Sequence, residues 1–261
     1  MVGVIPSAAF DIDTGTAVFV TRDDSVTLYI NGVPSSQWSP SAPAELDFEY
    51  MRWMLAALRA TFPLDEPLRA LHLGGGACSL PRAIAHLWPH SRHLVIEVDA
   101  ALAAAVRRYV ELPRSPVLRI RVDDAVTTLH ARPPASHHLI IRDAFDEQVL
   151  PPAGLTEDAG VAAAAAALRP DGVYLVNCVD LPGAPRARAD LRQLAGHFAW
   201  VGLITEPPIL RGRHRGNVVL LGRHQAPGGQ VEAAMERSLR SEGFPAALLP
   251  DAEARRWAGL G

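Results

Sequence analysis

The sequence predicts an α/β protein built on a doubly wound, mostly parallel sheet of seven strands. Two observations carry this prediction. A strand, a glycine turn, a helix and a second strand follow one another between Leu68 and Asp99, and parallel strands joined through a helix are the unit of nucleotide-binding α/β folds. After Asp99, apolar segments keep alternating between strand-like and helix-like spacing, which is typical of a sheet with helices on both faces.

Composition narrows the classes of function. The 261 residues are 49% hydrophobic and 20% charged, as in an ordinary globular protein, and allow one large or two modest domains. The net charge of −3 suggests neither nucleic-acid binding nor attachment to an anionic membrane. The two cysteines, Cys78 and Cys178, form no metal-ligand pattern and no disulfide framework, so we expect a cytoplasmic protein without a bound metal. No apolar run reaches the length of a membrane-spanning helix.

The N-terminal part, residues 1–45, is predicted to form a small β-hairpin lobe. Ala17–Thr21 and Val26–Ile30 are rich in β-branched residues, and an Asn-Gly turn signal follows them. The polar, proline-bearing segment Ser35–Pro43 is predicted to be a loop. Such a hairpin is too small to be stable alone.

Residues 46–261 are predicted to form one nucleoside-binding domain. Its first helix spans Leu46–Phe62 and is followed by the alternating series. The predicted strands are Arg69–Leu73, His93–Glu97, Val117–Val122, His138–Arg142, Gly172–Asn177, Ala199–Thr205 and Asn217–Gly222. The predicted helices are Ser79–Trp88, Ala100–Val110, Asp124–His130, Leu155–Leu168, Ala187–His197 and Gln230–Arg240, with an irregular C-terminal end.

The glycine turn is the candidate ligand cradle. Gly74, Gly75 and Gly76 would let the backbone approach a ligand, and the helix after them offers unpaired N–H groups. Glu97 ends the next strand, 21 residues after Gly76, about where ribose-binding carboxylates lie in this architecture. The alternative is a tight turn with an incidental acid.

Acidic residues end three successive predicted strands. Glu97 follows the second strand, Asp123 and Asp124 follow the third, and Asp143 and Asp146 follow the fourth. Ligands in doubly wound sheets bind at the carboxyl ends of the strands, so the series marks a candidate site. Helix capping is an alternative for Asp123 or Asp124, and loop capping is one for Asp143.

These residues together resemble a family, the spermidine synthase-like aminopropyltransferases, over about residues 25–222. The glycine turn and the acid after it are shared with many methyltransferases, whereas the hairpin, the helix start and the DxxD pattern are more specific. The matching segments are 29–37 (YINGVPSSQ), 47–50 (DFEY), 73–76 (LGGG), 97–99 (EVD), 123–125 (DDA) and 143–146 (DAFD).

The resemblance implies a Rossmann-like, class I methyltransferase-type domain with a small β lobe, assembled as a homodimer. It implies S-adenosylmethionine or its decarboxylated form as co-substrate, an amine as acceptor, and no prosthetic group. The residues that would bind the nucleoside are Gln37, Gly74, Gly75, Gly76, Glu97, Asp123, Asp124 and Ala125. Asp143 would receive the attacking amine and take its proton, Tyr50 would line the acceptor pocket, and Asp146 would bind the same group or a second one.

The chain departs from the family pattern at three places. Ala77-Cys78 follow the glycines where the family has an acid that holds the donor's amino group. Met51-Arg52 replace the family's His-Glu, and Glu147 stands after Asp146 where the family has a proline. Similar variants of the glycine and DxxD motifs occur in a divergent bacterial branch of the family.

Three functions follow from these residues. The first is aminopropyl transfer to a di- or polyamine, the second is methyl transfer from S-adenosylmethionine, and the third is nucleoside binding without catalysis. The intact Asp143 argues against the third. If Arg52, Arg82 and Arg142 point into the site, a polycationic acceptor is disfavoured, whereas solvated arginines carry no information.

Overall fold

The computed structural model describes residues 5–6, 8–146, 150–241 and 246–261. It contains a four-stranded antiparallel sheet and an eight-stranded mixed sheet. The strands are β1 (Phe10–Ile12), β2 (Gly15–Arg22), β3 (Ser25–Ile30), β4 (Val33–Trp38), β5 (Arg69–Leu73), β6 (Arg92–Glu97), β7 (Leu118–Val122), β8 (His137–Arg142), β9 (Leu168–Asp180), β10 (Trp200–Thr205), β11 (Gly216–Arg223) and β12 (Ala247–Leu249).

Helices cover both faces of the larger sheet. They are α1 (Glu49–Thr61), α2 (Ser79–Leu87), α3 (Ala100–Tyr109), α4 (Ala125–His130), α5 (Ala153–Thr156), α6 (Asp158–Ala167), α7 (Pro185–His197), α8 (Pro207–Leu210), α9 (Gly229–Ser241) and α10 (Asp251–Ala258). Within the described residues, none of these helices is both long and apolar enough to cross a lipid bilayer.

The order of strands in the larger sheet is β12-β10-β11-β9-β8-β5-β6-β7. The five strands from β7 to β9 run parallel, while β11 is antiparallel to both β9 and β10. The chain places β6 and β7 on one side of β5, and then β8 and β9 on the other. The strand order therefore reverses between β5 and β8, which is where ligands bind in doubly wound sheets.

The sheet has one strand more than predicted. All seven predicted strands are present, and the one predicted over Gly172–Asn177 extends to Leu168–Asp180. The eighth, β12, pairs with β10 in an antiparallel register from Leu203–Leu249 to Thr205–Ala247. A strand of three residues has no readable alternation, so only its tertiary pairing reveals it.

Two predicted helical segments also need correction. The helix expected over Leu155–Leu168 is two helices, α5 and α6, because Glu157 between them is extended. A Cβ at Gly160 would collide with the carbonyl oxygen of Gly154, so glycine permits this tight connection. The C-terminal end is not irregular but ends in α10, where the Asp251 carboxylate accepts the Val201 N–H at 2.8 Å.

The predicted small antiparallel β-hairpin lobe at the N-terminus is confirmed, and it has four strands in the order β1-β2-β3-β4. The segment expected to be a loop after Ser35 begins inside β4, in which Ser36 and Trp38 are buried and alternate with more exposed residues. β4 also contains Pro34, which is tolerated because this strand lies at the edge of its sheet. Residues 1–4 and 7 of the predicted lobe lie outside the described residues.

The lobe shares its core with the larger domain. Buried lobe residues such as Phe19, Leu28 and Trp38 form one apolar cluster with Val95 and Leu102 of β6 and α3. The burial that a small hairpin cannot supply alone therefore comes from the same chain.

Polar contacts fix the lobe next to the end of β6. The Asp99 carboxylate caps α3 by accepting the Leu102 N–H, and it also accepts the N–H and the hydroxyl of Thr14, both at 2.8 Å. The Asp13 carboxylate accepts the Ala100 N–H at 2.7 Å. The turn after β1 is thereby held against the start of α3, directly after Glu97.

Helices pack on both faces of the larger sheet, and each face has its own apolar core. On one face, α1 packs Trp53 and Met54 against the strands, together with Ile141 of β8. We call this the α1 face. On the other face, α7 packs Leu191 against Ile140 of β8, and we call this the α7 face. Successive residues of a strand point to opposite faces, so each strand end offers one residue to each.

A pair of buried histidines lies on neighbouring strands of the sheet. His72 Nε2 and His93 Nδ1 are 3.0 Å apart, and both residues are 2% exposed. The Nε2 atom of His93 has no hydrogen-bond partner in the described structure. Burial lowers the pKa of His93 to about 4, and it lowers the pKa of His72 as well, with a further contribution from His93.

We expect these histidines to make folding sensitive to acid. An unfolded histidine takes up its proton near pH 6.5, whereas folded His93 does so only near pH 4. The free energy of unfolding should therefore fall as the pH drops from about 6.5 to about 4, by roughly 3 kcal/mol from His93. Denaturant unfolding of the wild type and of His93→Gln at several pH values measures this.

The His93→Gln variant should lose the part of this pH slope that His93 contributes, whereas His72 should keep its own contribution. The exposed His90 offers a matched control, since His90→Gln should keep the slope. Equal slopes in all three proteins would contradict the assignment.

Candidate active site

The glycine turn and the aspartate after β8 meet at the point where the strand order reverses. Gly74 has a φ of +96°, and a Cβ there would collide with the carbonyl oxygen of Asp143. The Asp143 N–H in turn donates to the Leu73 carbonyl at 2.9 Å. Only glycine permits both the positive φ and this approach of two backbones.

The carboxylate of Glu97 organises the rest of the turn. Its Oε2 accepts the N–H groups of Gly75 and Gly76, both at 3.2 Å, and its Oε1 accepts the Asp99 N–H at 3.1 Å. Burial raises the pKa of Glu97, and these backbone hydrogen bonds oppose that shift. The structure therefore places Glu97, the residue predicted to bind the ribose, in direct contact with the glycine turn that is predicted to hold the ligand.

A residue of the lobe that the sequence did not single out completes the turn. The Ser36 hydroxyl accepts the Ala77 N–H at 2.9 Å, and a Cβ at Gly76 would come within 2.5 Å of it. Its neighbour Gln37, the predicted nucleoside ligand, points to the other face of β4, where its Nε2 donates to Ser25 Oγ at 2.6 Å. The alternation of buried and more exposed residues along β4 could have identified Ser36. The prediction of a loop over Ser35–Pro43 left this alternation unused.

Asp143 lies between two neutral donors on the α1 face. The Tyr50 hydroxyl donates to one carboxylate oxygen at 2.8 Å, and the Asn177 amide donates to the other at 2.9 Å. Tyr50 comes from the first turn of α1, where its ring stacks on Phe48 with centroids 6.2 Å apart. The predicted pair of Tyr50 and Asp143 is thus in direct contact.

The electrostatics of this trio follow from burial. Burial raises the pKa of Asp143, whereas the hydrogen bonds from Asn177 and Tyr50 and the charge of Arg142 act in the opposite direction. Burial and the neighbouring Asp143 carboxylate raise the pKa of Tyr50 well above its usual value. The phenol therefore stays protonated and remains a hydrogen-bond donor to Asp143.

Asn177 is a site residue that the sequence analysis missed. It ends the apolar part of β9 and, two residues after Leu175, points to the α1 face. The signal was a polar residue at the carboxyl end of the strand that neighbours β8. An asparagine directly after the apolar run Val173–Val176 was available from the sequence as a candidate.

The acids after β7 serve as helix caps in this structure. Asp124 Oδ1 accepts the Thr127 N–H at 2.7 Å and caps α4, whose first residue is Ala125. The hydrogen bond from the Thr127 N–H stabilises the ionised carboxylate and so lowers the pKa of Asp124. Asp123 accepts the Asp124 N–H at 2.9 Å and the Thr128 hydroxyl at 2.8 Å. Both side chains lie at the site edge, and their contact with an adenine stays a prediction.

Asp146 lies further out, in the segment that follows Asp143. It is exposed, and its Oδ1 accepts the Leu150 N–H at 2.9 Å. Its own N–H donates to the Leu150 carbonyl at 2.8 Å, so the two residues close a loop. Glu147, the predicted departure from the family pattern, lies outside the described residues.

Two of the three arginines considered above point away from Asp143. Arg82 donates to the carbonyls of Ser39, Pro40 and Glu111 and ties α2 to the segment after β4. Arg142 lies on the α7 face and is 1% exposed. Among the described residues, no group of three or more His, Cys, Asp or Glu side chains is arranged to hold a metal ion.

The nucleoside assignment of Glu97 gives a direct binding test. We expect Glu97→Ala to weaken the binding of methylthioadenosine by about 1.5–3 kcal/mol, because two ribose hydroxyls lose a charged acceptor. Calorimetric titration measures the affinity. Because Glu97 also holds two glycine N–H groups, Glu97→Gln is the second variant: it keeps one acceptor oxygen and should bind more tightly than Glu97→Ala. Unchanged affinity in both variants would contradict the assignment.

Comparison with known proteins places this geometry in context. No family profile matches the chain. A polyamine aminopropyltransferase of Vibrio vulnificus (strain CMCP6) is 27% identical over 121 residues, which are 46% of this chain and 40% of that protein. The matched region is thus less than half of that curated relative.

Solved structures of other proteins resemble the fold. A human methyltransferase-like protein 13 in complex with SAH has a TM-score of 0.60 at 20% identity, over 75% of this chain and 94% of its own. A spermidine synthase in complex with the transition state analogue AdoDATO has a TM-score of 0.67 at 16% identity, over 97% and 88%. At these identities the likeness shows the fold alone.

The third structure is closer in sequence. A probable spermidine synthase from Corynebacterium glutamicum ATCC 13032 is 33% identical, with a TM-score of 0.91, and the match covers 98% of this chain and 94% of that one. Near-complete coverage at this identity includes the lobe, the glycine turn and the strand that carries Asp143. The chain therefore belongs to the spermidine synthase-like family of polyamine aminopropyltransferases.

Proposed function

We propose that the protein transfers the aminopropyl group of decarboxylated S-adenosylmethionine to an amine acceptor. The names of its relatives in Vibrio and Corynebacterium support this reaction class. The donor's nucleoside would lie along the glycine turn, with Glu97 at the ribose and Asp124 at the adenine. The predicted contacts of Gln37, Asp123 and Ala125 belong to the same proposal.

One observation carries the proposal. Within the described part of the chain, the Asp143 carboxylate accepts its hydrogen bonds from the neutral groups of Tyr50 and Asn177. Among the described residues, no side-chain cation forms an ion pair with it. This carboxylate is partly buried beside the proposed nucleoside cradle, and the Arg142 guanidinium behind it is already paired with Asp190. The ammonium group of an acceptor amine would give it a direct ionic partner.

The chemistry needs little more than this arrangement. A free alkylamine has a pKa of about 10.4 and arrives protonated. Asp143 would bind the ammonium and take one proton, so that the nitrogen attacks the methylene carbon next to the sulfonium. As the C–N bond forms, the C–S bond breaks and its electron pair goes to sulfur, which leaves as the neutral thioether methylthioadenosine. The proton passes from Asp143 to solvent.

Position 77 bears on the choice of donor. The family acid at this position would attract the donor's amino group and repel a carboxylate, but here it is alanine. Two like charges about 4 Å apart cost about 4 kcal/mol at an effective dielectric of 20, and Ala77 removes that repulsion. The start of α2 has no side-chain cap, which favours a nearby carboxylate. S-adenosylmethionine itself is therefore a second possible donor.

Methyl transfer is the second candidate function, and the same residue favours it. The sulfonium of S-adenosylmethionine carries three carbons, and the two candidate functions differ in whether the amine attacks the methyl carbon or the methylene carbon of the propyl chain. Attack on the methyl carbon releases S-adenosylhomocysteine, whereas attack on the propyl chain releases a methylthioadenosine product. Chromatographic identification of the nucleoside released decides between the two candidates.

We also propose a homodimer, as the family resemblance implies. The lobe finds its core within its own chain, so dimerisation is not needed for its stability. Light scattering at micromolar concentration tests the proposal. A monomer mass would contradict it.

Replacement of Asp143 tests the proposed mechanism. We expect Asp143→Asn to bind methylthioadenosine like the wild type and to lose about 10²–10⁴-fold in turnover, the usual contribution of a general base. Turnover is the rate of methylthioadenosine release with a confirmed acceptor. Asp65 is exposed after α1, at the opposite edge of the sheet, so Asp65→Asn is the control and should keep full turnover. Full turnover in Asp143→Asn would remove this residue from the mechanism.

Donor discrimination tests the role of Ala77. We expect the wild type to bind S-adenosylmethionine measurably in calorimetric titrations, with weaker discrimination against it than an enzyme with an acid at this position. Ala77→Asp should shift the preference toward the decarboxylated donor. Since Ala77 is fully buried under the lobe, the variant's folding must be verified by circular dichroism. The wild-type ratio decides independently: a thousandfold rejection of S-adenosylmethionine would refute the electrostatic argument.

A further inference from the structure

The residue directly before Asp143 is a buried arginine. Arg142 is the last residue of β8, and its backbone pairs with Leu73 and with Val176 on the neighbouring strands. Successive residues of a strand point to opposite faces, so Arg142 enters the α7 face while Asp143 enters the α1 face. The face that receives Arg142 is otherwise formed by apolar residues of α6, α7 and the strands.

The guanidinium joins three elements. Its Nη2 forms an ion pair with the Asp190 carboxylate of α7, and its Nη1 donates to the Leu155 carbonyl of α5 at 3.2 Å. Cys178 Sγ lies 3.6 Å from Nη2 and 3.3 Å from the same Asp190 oxygen. Arg142 is 1% exposed and Asp190 is 7% exposed, so water does not compete for these bonds.

These contacts bracket the segment that follows Asp143. The chain leaves β8, closes a loop between Asp146 and Leu150, and returns to the sheet at α5. Because Arg142 holds the Leu155 carbonyl, the start and the end of this segment are tied to one side chain.

Stability alone gives little reason for such a pair. Taking an arginine and an aspartate out of water carries a large desolvation cost, and well-packed apolar residues of similar volume often serve equally well. A planar guanidinium, however, fixes direction through several donors at once. It also places a positive charge behind Asp143, which favours the ionised carboxylate.

We propose that Arg142 and Asp190 are positioning residues for the transfer reaction. The ion pair on the α7 face holds the end of β8 and the start of α5 in place, and so aims the Asp143 carboxylate at the acceptor amine on the α1 face. The inference rests on the proposed role of Asp143. It adds two residues that touch neither the donor nor the acceptor.

The double variant Arg142→Met/Asp190→Leu tests the inference without leaving one buried charge unpaired. We expect its fold and its affinity for methylthioadenosine to match the wild type. Its kcat should fall about 10- to 100-fold, the range that a small misplacement of a catalytic group produces. The acid limb of the kcat profile should move to higher pH, because the carboxylate loses its nearby positive charge. Arg142→Lys keeps that charge and should recover part of the loss.

Arg255→Met is the matched control. Arg255 also joins an aspartate, Asp251, to backbone carbonyls, those of Ala195 and Phe198, but it does so between α10 and α7. The kcat of Arg255→Met, and the dependence of that kcat on pH, should equal those of the wild type. A double variant with kcat within twofold of the wild type and an unshifted acid limb would overturn the inference.

A measurement without turnover separates this inference from the proposed function. Carboxyl-carbon NMR of the specifically assigned Asp143 follows its titration in the wild type and in the double variant. A higher pKa in the variant supports the inference even if no acceptor is turned over, a result that would contradict only the proposed function. Identical titration curves in a wild type without turnover would overturn the inference.

Discussion

The site depends on one close approach, that of the Gly74 backbone to the Asp143 backbone. Any side chain at Gly74 would collide with the Asp143 carbonyl oxygen, so the neighbouring ends of β5 and β8 could not remain this close. The glycine turn starts at the end of β5, and the Asp143 carboxylate is held at the end of β8. Their separation is therefore set by sheet pairing and not by a flexible loop. Groups mounted on paired strands are held more precisely than groups on loops, which is what an in-line displacement requires.

The lobe completes this site and has no core of its own to support it. Its apolar residues share a core with α3 and β6, and its Ser36 hydroxyl is the acceptor for the Ala77 N–H. The turn after β1 caps the start of α3 through Asp13 and hydrogen-bonds to Asp99 through Thr14. These contacts lie on both sides of Glu97 along the chain. A change in the lobe should therefore affect the glycine turn, since the lobe's Ser36 hydroxyl holds the Ala77 N–H at the end of that turn.

The sequence predicted what is local and periodic. Strand spacing located six of the eight strands of the larger sheet to within one residue at each end. The acids at the strand ends marked the edge of the candidate site. Reasoning failed where tertiary contact overrides local signal. β4 contains a proline and polar residues and forms a strand only because it is an edge strand packed on the larger domain. The loop prediction hid the pleat that presents Ser36 to the glycine turn, while the nucleoside contact of Gln37, which came from the family resemblance, stays a prediction. Asn177 gives no local signal of contact with Asp143, because the two meet only once β9 pairs with β8.

Glu97 accepts hydrogen bonds from backbone donors and Asp143 accepts them from side-chain donors. This difference suits the two carboxylates to different roles. Burial raises the pKa of both Glu97 and Asp143. Glu97 accepts three backbone N–H groups, which cannot turn away, so its charge is fixed in place and suits a static contact with hydroxyls. Asp143 accepts two side-chain donors and keeps further lone pairs on both oxygens. Protonation of Asp143 leaves the Tyr50 and Asn177 donors in place, so the carboxyl group can gain and lose a proton without a change in the backbone. A group that must take a proton and release it in each turnover needs this second arrangement.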